Sequence, residues 1–188
     1  MSQPLEFWFE FASTYSYLSA ARIEDACAAR GVDLVWRPFL LGPIFAAQGW
    51  SDSPFNLFPS KGAYMWADMA REATALGLPL VRPARFPQNG LLAARVATAH
   101  LDAPWIGAFV RRVYRANFAQ DQDIADPALL RSVLADLTDN PEAAIARAQA
   151  PEVKQALKDQ TQAAQEAGIF GAPSFTDAGT LYWGCLLY

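Results

Sequence analysis

The first eighteen residues constrain the fold most, because they place a buried strand directly before a helix. Residues 5–18 read LEFWFEFASTYSYL, which is an apolar run, a short turn and then a helical pattern. The backbone N–H groups in the first turn of a helix have no intrahelical partner and carry partial positive charge. These N–H groups would lie beside the Ser13 and Ser16 hydroxyls. The sequence therefore predicts a binding site that favours an anion at this turn.

A parallel strand pair is expected at this end of the chain. Residues 5–9 show no polar alternation, which indicates a strand buried on both faces. Residues 15–30 predict one helix ended by Gly31, and residues 32–39 predict a second strand. A strand, a helix and a strand within about 35 residues form a βαβ unit, so the two strands should be parallel.

The middle of the chain is predicted to be a long loop followed by helices. Residues 40–62 are rich in Gly, Pro, Ser and aromatic residues, and long loops inside compact domains are usually functional. Residues 174–183 predict a β-hairpin. Between the loop and the hairpin we predict five or six helices: 61–76, 90–100, 104–118 with Pro104 in its first turn, two begun by Asp126-Pro127 and Asn140-Pro141, and 151–167.

Composition narrows the class of protein. The 188 residues are 53% hydrophobic and 18% charged, which suits one domain spanning 1–188 with a mostly helical insertion at 41–167. The net charge of −4 and the absence of a basic patch argue against nucleic-acid binding. No apolar run approaches the roughly 20 residues of a membrane span, and the start lacks a secretory leader, so we expect a cytoplasmic protein without membrane contact.

Cysteine usage excludes one kind of chemistry. Cys27 and Cys185 are the only cysteines, and no Cys-x-x-Cys or zinc-ligand spacing exists. We therefore expect neither dithiol exchange nor a metal site, and we expect Cys27 to be a small core residue.

Several short segments resemble the 2-hydroxychromene-2-carboxylate isomerase family, which is similar to kappa-class glutathione transferases and belongs to the DsbA-like thioredoxin superfamily. The resemblance implies an α/β thioredoxin-like fold with a large all-helical insertion between the N-terminal βαβ unit and the C-terminal β-hairpin. It also implies a homodimer that uses glutathione on a small aromatic carboxylate in aromatic degradation. The segments are FEFASTYSYL at 9–18, RPFLLGPIF at 37–45, PSKGAYM at 59–65 with Asp68, RFPQN at 85–89, FGAPSF at 170–175 and YWG at 182–184.

By this resemblance Ser13 is the catalytic residue, and its hydroxyl would donate to the glutathione thiolate. Such a hydrogen bond lowers the pKa of the thiol. The alternative is that Ser13 only caps the helix. The remaining glutathione contacts implied are Ala172, which pairs with the cysteinyl backbone, a cis Pro173, Trp183 and Gly184.

Polar residues of the loops are candidates for the substrate. The substrate implied by the resemblance carries a carboxylate and a hydroxyl. Cationic side chains and amide donors can form hydrogen bonds with these groups. The substrate candidates are Asn56, Lys61, Arg85 and Asn89. The aromatic residues that are candidates either for a substrate wall or for the core are Trp50, Phe55, Phe58, Tyr64 and Trp66.

Two segments depart from the family pattern. An acidic residue usually follows the Trp-Gly pair and holds the γ-glutamyl end of glutathione, whereas Cys185 and two leucines follow it here. Some isomerases carry a lysine where this chain has Ala46-Ala47. The leading hypothesis is a glutathione-dependent interconversion of 2-hydroxychromene-2-carboxylate and trans-o-hydroxybenzylidenepyruvate. The alternatives are a kappa-like glutathione transferase or peroxidase and a non-catalytic thioredoxin-fold binding module.

Overall fold

A mixed four-stranded sheet surrounded by helices makes up the computed structural model, which describes residues 4–184. The strands lie near the two ends of the chain, and eight of the ten helices fall between β2 and β3. The elements are β1 (Leu5–Phe9), α1 (Thr14–Ala20), α2 (Ile23–Ala28), β2 (Leu34–Pro38), α3 (Leu41–Ala47), α4 (Pro54–Leu57), α5 (Pro59–Ala75), α6 (Leu91–Ala99), α7 (Ile106–Gln120), α8 (Pro127–Ala135), α9 (Pro141–Ala148), α10 (Pro151–Glu166), β3 (Ser174–Asp177) and β4 (Thr180–Trp183).

The sheet has the strand order β2-β1-β3-β4. β1 pairs with β2 in parallel, which confirms the predicted βαβ unit. β3 runs antiparallel to β1 with Trp8 opposite Ser174, and β4 completes the predicted hairpin. This is the thioredoxin-like arrangement that the resemblance implies.

Both faces of β1 are covered, as its mostly apolar sequence predicts. On one face Phe7 and Phe9 are fully buried, and the Phe7 ring stacks on Phe175 with centroids 5.1 Å apart. On the other face Trp8 packs in a smaller cluster with Phe39 and Ile44. The sheet is therefore the middle layer between two groups of helices.

The predicted helix over 15–30 is wrong as a single element, since it is two helices. The break lies at Arg22, whose φ of −129° and ψ of −12° leave the helical region. Most of α1 is buried, whereas α2 buries only Ile23 and Cys27. The chain bends where it passes from the core to the surface, and no glycine or proline marks the position.

The predicted loop over 40–62 is also wrong, because most of it is helical. Pro43 lies in the first turn of α3 and Pro54 is the first residue of α4, where a missing N–H costs nothing. Ser53 caps α4, and its Oγ accepts from the Phe55 N–H at 3.3 Å. The prolines that suggested a loop therefore begin short helices.

Other helix boundaries follow the sequence signals more closely. Asp126 and Asn140 cap α8 and α9 as predicted, with side-chain oxygens accepting from backbone N–H groups at 2.8 and 3.0 Å. Pro104 precedes α7 and does not lie in its first turn. Cys27 is buried, as predicted. No helix among residues 4–184 has the length and apolar character needed to span a membrane.

Candidate functional site

The turn between β1 and α1 presents Ser13. β1 ends at Phe9, and the Ser13 N–H donates to the Glu10 carbonyl at 3.0 Å, which closes the turn. Ser13 has extended backbone angles, and its Oγ accepts from the Ser16 N–H at 3.2 Å. Ser13 is thus the N-cap of α1, and its partly exposed hydroxyl still has a proton to donate.

The Ser13 hydroxyl donates a hydrogen bond to the loop that precedes β3. Ser13 Oγ donates to the Ala172 carbonyl at 2.8 Å. The following peptide bond, Ala172–Pro173, is cis, as the resemblance implies. The two turns meet because β1 and β3 are neighbours and the Ser13 turn follows the end of β1 that lies beside the start of β3.

Trp183 and Gly184 adjoin the same loop. The Gly184 N–H donates to the Pro173 carbonyl at 3.0 Å. The Trp183 indole covers Gly171 so closely that an added Cβ there would lie 2.5 Å from Nε1. The structure thus brings together all the residues that the resemblance assigns to glutathione within residues 4–184, while Cys185 lies outside the described residues.

The substrate candidates are more scattered, and two of them stabilise loops. Asn56 Nδ2 donates to Asp52 Oδ2 and to the Phe86 carbonyl, both at 3.0 Å. Asn89 Oδ1 accepts from the Leu91 N–H at 3.0 Å and so begins α6. Each of these two amide side chains therefore already makes at least one hydrogen bond within the protein.

The two cationic candidates remain at the surface. Lys61 is exposed in the first turn of α5, with Nζ 4.7 Å above the centre of the Phe58 ring. Arg85 lies 3.9 Å from Asp123 at a largely exposed position, where the pair contributes little to stability. Of the two, Lys61 lies on the elements that adjoin the Ser13 turn.

Helices α4 and α5 border that turn through Tyr15. The Tyr15 ring lies 6.4 Å from Phe55, and its hydroxyl donates to Asp68 Oδ2 at 2.8 Å. Arg71 donates to the other oxygen of Asp68 at 2.9 Å, and the two residues lie three positions apart on α5. The side of the Ser13 turn that faces α5 is therefore both aromatic and polar.

The candidate aromatic residues divide into two groups. Trp66 packs on Phe86 at 5.1 Å, and Trp50 and Phe55 are likewise partly buried. In contrast, Phe58 is 42% exposed and Tyr64 is 64% exposed. Only these last two offer substantial free ring surface.

Comparison of the sequence with protein-family models identifies the family of this chain. The model for the DSBA-like thioredoxin domain matches residues 4–186. The chain belongs to this family. It is similar to a 2-hydroxychromene-2-carboxylate isomerase of Sphingobium xenophagum, with 26% identity over 98% of this chain and 93% of the relative. It is also similar to human glutathione S-transferase kappa 1, with 27% identity over 92% of this chain and 80% of the relative.

Solved structures agree on the fold of this DSBA-like domain. A 2-hydroxychromene-2-carboxylate isomerase structure superposes with a TM-score of 0.84 at 23% identity, covering 97% of this chain and 89% of that chain. The cytosolic disulfide reductase DsbM from Pseudomonas aeruginosa, solved with GSH, superposes with a TM-score of 0.67 at 16% identity, covering 95% and 88%. The two relatives named above are enzymes, one an isomerase and the other a glutathione transferase.

Sequence reasoning missed an acid in the DSBA-like site. Glu10 directly follows β1, and its carboxylate Oε2 accepts from the Ala12 N–H at 3.0 Å. Burial raises the pKa of Glu10 to about 7, although the hydrogen bond from Ala12 opposes the shift. A charged residue within the apolar run FWFEF was the available signal.

Two buried side chains of α7 fix the turn that carries this acid. The Tyr114 hydroxyl donates to the Glu10 carbonyl at 2.8 Å, and Asn117 Nδ2 donates to the Phe11 carbonyl at 3.0 Å. Burial and then the Glu10 charge raise the pKa of Tyr114, and the nearby Ser16 hydroxyl opposes this. Tyr114 is therefore a neutral hydrogen-bond donor over a wide pH range.

Proposed function

We propose that this chain is a glutathione-dependent isomerase that interconverts 2-hydroxychromene-2-carboxylate and trans-o-hydroxybenzylidenepyruvate. The observation that carries the proposal is the partly exposed Ser13 hydroxyl, hydrogen-bonded to the Ala172 carbonyl next to cis Pro173. The similarity to an isomerase of that name along nearly the whole chain supports the choice of reaction. The resemblance further suggests a homodimer and a role in the breakdown of aromatic compounds.

The residues around Ser13 fit glutathione. The hydroxyl has one proton, which it gives to a neutral carbonyl oxygen at 2.8 Å in this structure. A hydrogen bond to a thiolate is charge-assisted and stronger, so rotation of the hydroxyl toward a bound sulfur is favourable. Ala172 is itself partly exposed, which leaves its backbone accessible to an extended peptide such as glutathione.

The protein's part in the reaction is to favour the thiolate and to orient the substrate. Bound glutathione would supply a thiolate that adds to the conjugated double bond, allows rotation and then leaves. Ser13 stabilises the anion, and the first turn of α1 adds positive potential. Lys61 offers a cation for the substrate carboxylate, and the exposed rings of Phe58 and Tyr64 offer a surface for the aromatic ring.

A kappa-like glutathione transferase is the second candidate. It is favoured by the 27% identity to the human kappa enzyme and would use the same Ser13 hydroxyl. The two reactions differ in their products, because an isomerase returns glutathione unchanged whereas a transferase retains it in the product. Product analysis therefore separates them.

The first test compares Ser13→Ala with Ser19→Ala. Ser19 lies on the same helix, and its hydroxyl is buried with no hydrogen-bond partner among residues 4–184, so this variant makes the same chemical change away from the site. We expect calorimetry and ultraviolet absorbance to detect glutathione thiolate in the wild type and in Ser19→Ala. Ser13→Ala should lose the thiolate signal and about 10²–10³-fold of the isomerisation rate, as for loss of one hydrogen bond to an oxyanion.

Each outcome bears on the proposal. Isomerisation without consumption of glutathione supports it, and a glutathione conjugate supports the transferase. Binding without rate enhancement for either reaction points to a binding module. Absence of glutathione binding to the wild type contradicts both enzymatic readings.

A further inference from the structure

We propose that the Glu10 carboxylate accepts the proton that the glutathione thiol loses when it binds at Ser13. The inference rests on the proposed function, because it requires a thiol at this site. It assigns a catalytic proton acceptor within the same turn as the thiolate-stabilising hydroxyl.

The Glu10 carboxylate lies in the same turn as Ser13. It folds back over its own turn, with Oε2 on the Ala12 N–H, the residue immediately before Ser13. The other oxygen, Oε1, lies beside Gly90, 3.3 Å from the point where a Cβ would be. Among residues 4–184 the Ala12 N–H is the only hydrogen-bond donor to this carboxylate, so Oε1 retains free acceptor capacity.

Uncharged groups of α7 lie near the turn that carries the Glu10 carboxylate. α7 contributes the neutral Tyr114 phenol and the Asn117 amide near this turn, and Gly90, the N-cap residue of α6, lies beside Oε1. No cation of the described residues pairs with Glu10, so burial sets its pKa at about 7. A group with such a pKa exchanges protons readily at neutral pH.

The other polar groups of the site are poorer acceptors. Ser13 must keep its proton in order to donate to the sulfur. Asp68 has both oxygens occupied, one by Tyr15 and one by Arg71. Glu10 is the carboxylate in this part of the structure with a free oxygen.

The step is balanced and leaves the charge of the site unchanged. The S–H bond breaks, its electron pair stays on sulfur, and an O–H bond forms on the Glu10 carboxylate. The ionised carboxylate and the neutral thiol become a neutral acid and a thiolate. Because Glu10 is then uncharged, it does not repel the sulfur anion as an ionised carboxylate would. The proton returns when glutathione leaves.

The test counts protons and thiolates separately near pH 8, where Glu10 is mostly ionised. Ultraviolet absorbance gives the thiolate gained per site on glutathione binding. Calorimetry in buffers of different ionisation enthalpy gives the protons released per site. The wild type should release only about 0.1–0.3 proton per thiolate gained, because Glu10 retains the rest. Glu10→Gln keeps an acceptor for the Ala12 N–H but cannot take a proton, so it should release about one.

The wild type alone provides a second test that does not depend on the variant folding. Near pH 6 Glu10 is already protonated, so the ratio of protons to thiolates should approach one and should fall as the pH rises through about 7. A ratio of one at every pH, with the thiolate present, overturns the Glu10 proposal and leaves the proposed function intact. Absence of thiolate in every sample overturns the proposed function, and this inference with it.

Discussion

The ionisation of Glu10 should be visible in the stability of the free protein, without any ligand. Its pKa is raised from the ordinary 4.5 to about 7 in the folded state. Between these values the folded protein binds more protons than the unfolded chain. The free energy of unfolding therefore decreases as the pH rises through this window and levels off above it.

Glu10→Gln should remove this dependence. From about pH 5 to pH 8 the free energy of unfolding of the wild type should fall by on the order of 1–3 kcal/mol more than that of Glu10→Gln. Urea denaturation at both pH values measures the change. Glu152→Gln, an exposed substitution of the same kind, should shift by less than about 0.5 kcal/mol over the same range. An equal shift in the two variants would contradict a raised pKa at Glu10.

Gly90 is the second residue whose identity the turn requires. Its φ of −86° suits any residue, so the constraint is space rather than conformation. An added Cβ would lie 2.9 Å from Phe11 Cβ and 3.3 Å from Glu10 Oε1. Gly90→Ala should cost about 1–3 kcal/mol through this overlap.

Gly42→Ala is the matched control for that substitution. Gly42 lies in α3 with no atom within 4 Å of an added Cβ, so alanine there should stabilise the protein by about 0.5–1 kcal/mol. Thermal or urea unfolding of the two variants should therefore shift in opposite directions. A neutral Gly90→Ala would show that the turn adapts to the added methyl group.

At the scale of elements, a polar ladder joins three strands on one face of the sheet. Thr176 on β3 donates to Glu6 Oε2 on β1 at 2.5 Å and accepts from Trp8 Nε1 at 2.9 Å. Arg37 on β2 binds the same Glu6 carboxylate, with Nε at 2.9 Å. Burial alone would raise the pKa of Glu6, but the hydrogen bonds from Thr176 and Arg37 lower it overall.

Thr176→Val should break the centre of this ladder while keeping the shape of the side chain. The Trp8 N–H and one Glu6 oxygen lose their partner, so we expect a loss of about 1–3 kcal/mol near pH 7. Thr180→Val, on the exposed strand β4, should change stability by less than about 0.5 kcal/mol. Because the pKa of Glu6 is lowered, the difference between Thr176→Val and the wild type should diminish as the pH falls through that pKa.

The sequence predicts elements well where local chemistry decides them. β1 and the hairpin follow from apolar runs, and Asp126 and Asn140 mark helix starts by their own hydrogen bonds. The break at Arg22 has no local signal, since it depends on where the chain leaves the core. The helices α3 and α4 were not predicted, because proline is common both in loops and in the first turn of a helix.

At the scale of the whole molecule, the site is assembled from parts distant in the chain. Ser13 and Ala172 are 159 positions apart and meet through the pairing of β1 with β3. The resemblance to the family predicted that both residues belong to one glutathione site, but it did not predict the hydrogen bond between them. The role of Glu10 was not predictable in this way, because its environment depends on Gly90 and Tyr114 and so on how α6 and α7 pack against the turn.

The packing of α7 on the turn gives a prediction for the molecule as a whole. The Tyr114 hydroxyl connects the helical segment to the Glu10 carbonyl, which also accepts the Ser13 N–H. Tyr114→Phe should cost about 1 kcal/mol of stability and should speed hydrogen exchange at the Ser13 and Ser16 amides. Tyr17→Phe is the matched control, because it removes a hydrogen bond of the same length, 2.8 Å, to the Pro79 carbonyl. The control should lose similar stability without faster exchange at the turn. Equal exchange in the two variants would mean that α7 stabilises the fold but does not hold the site.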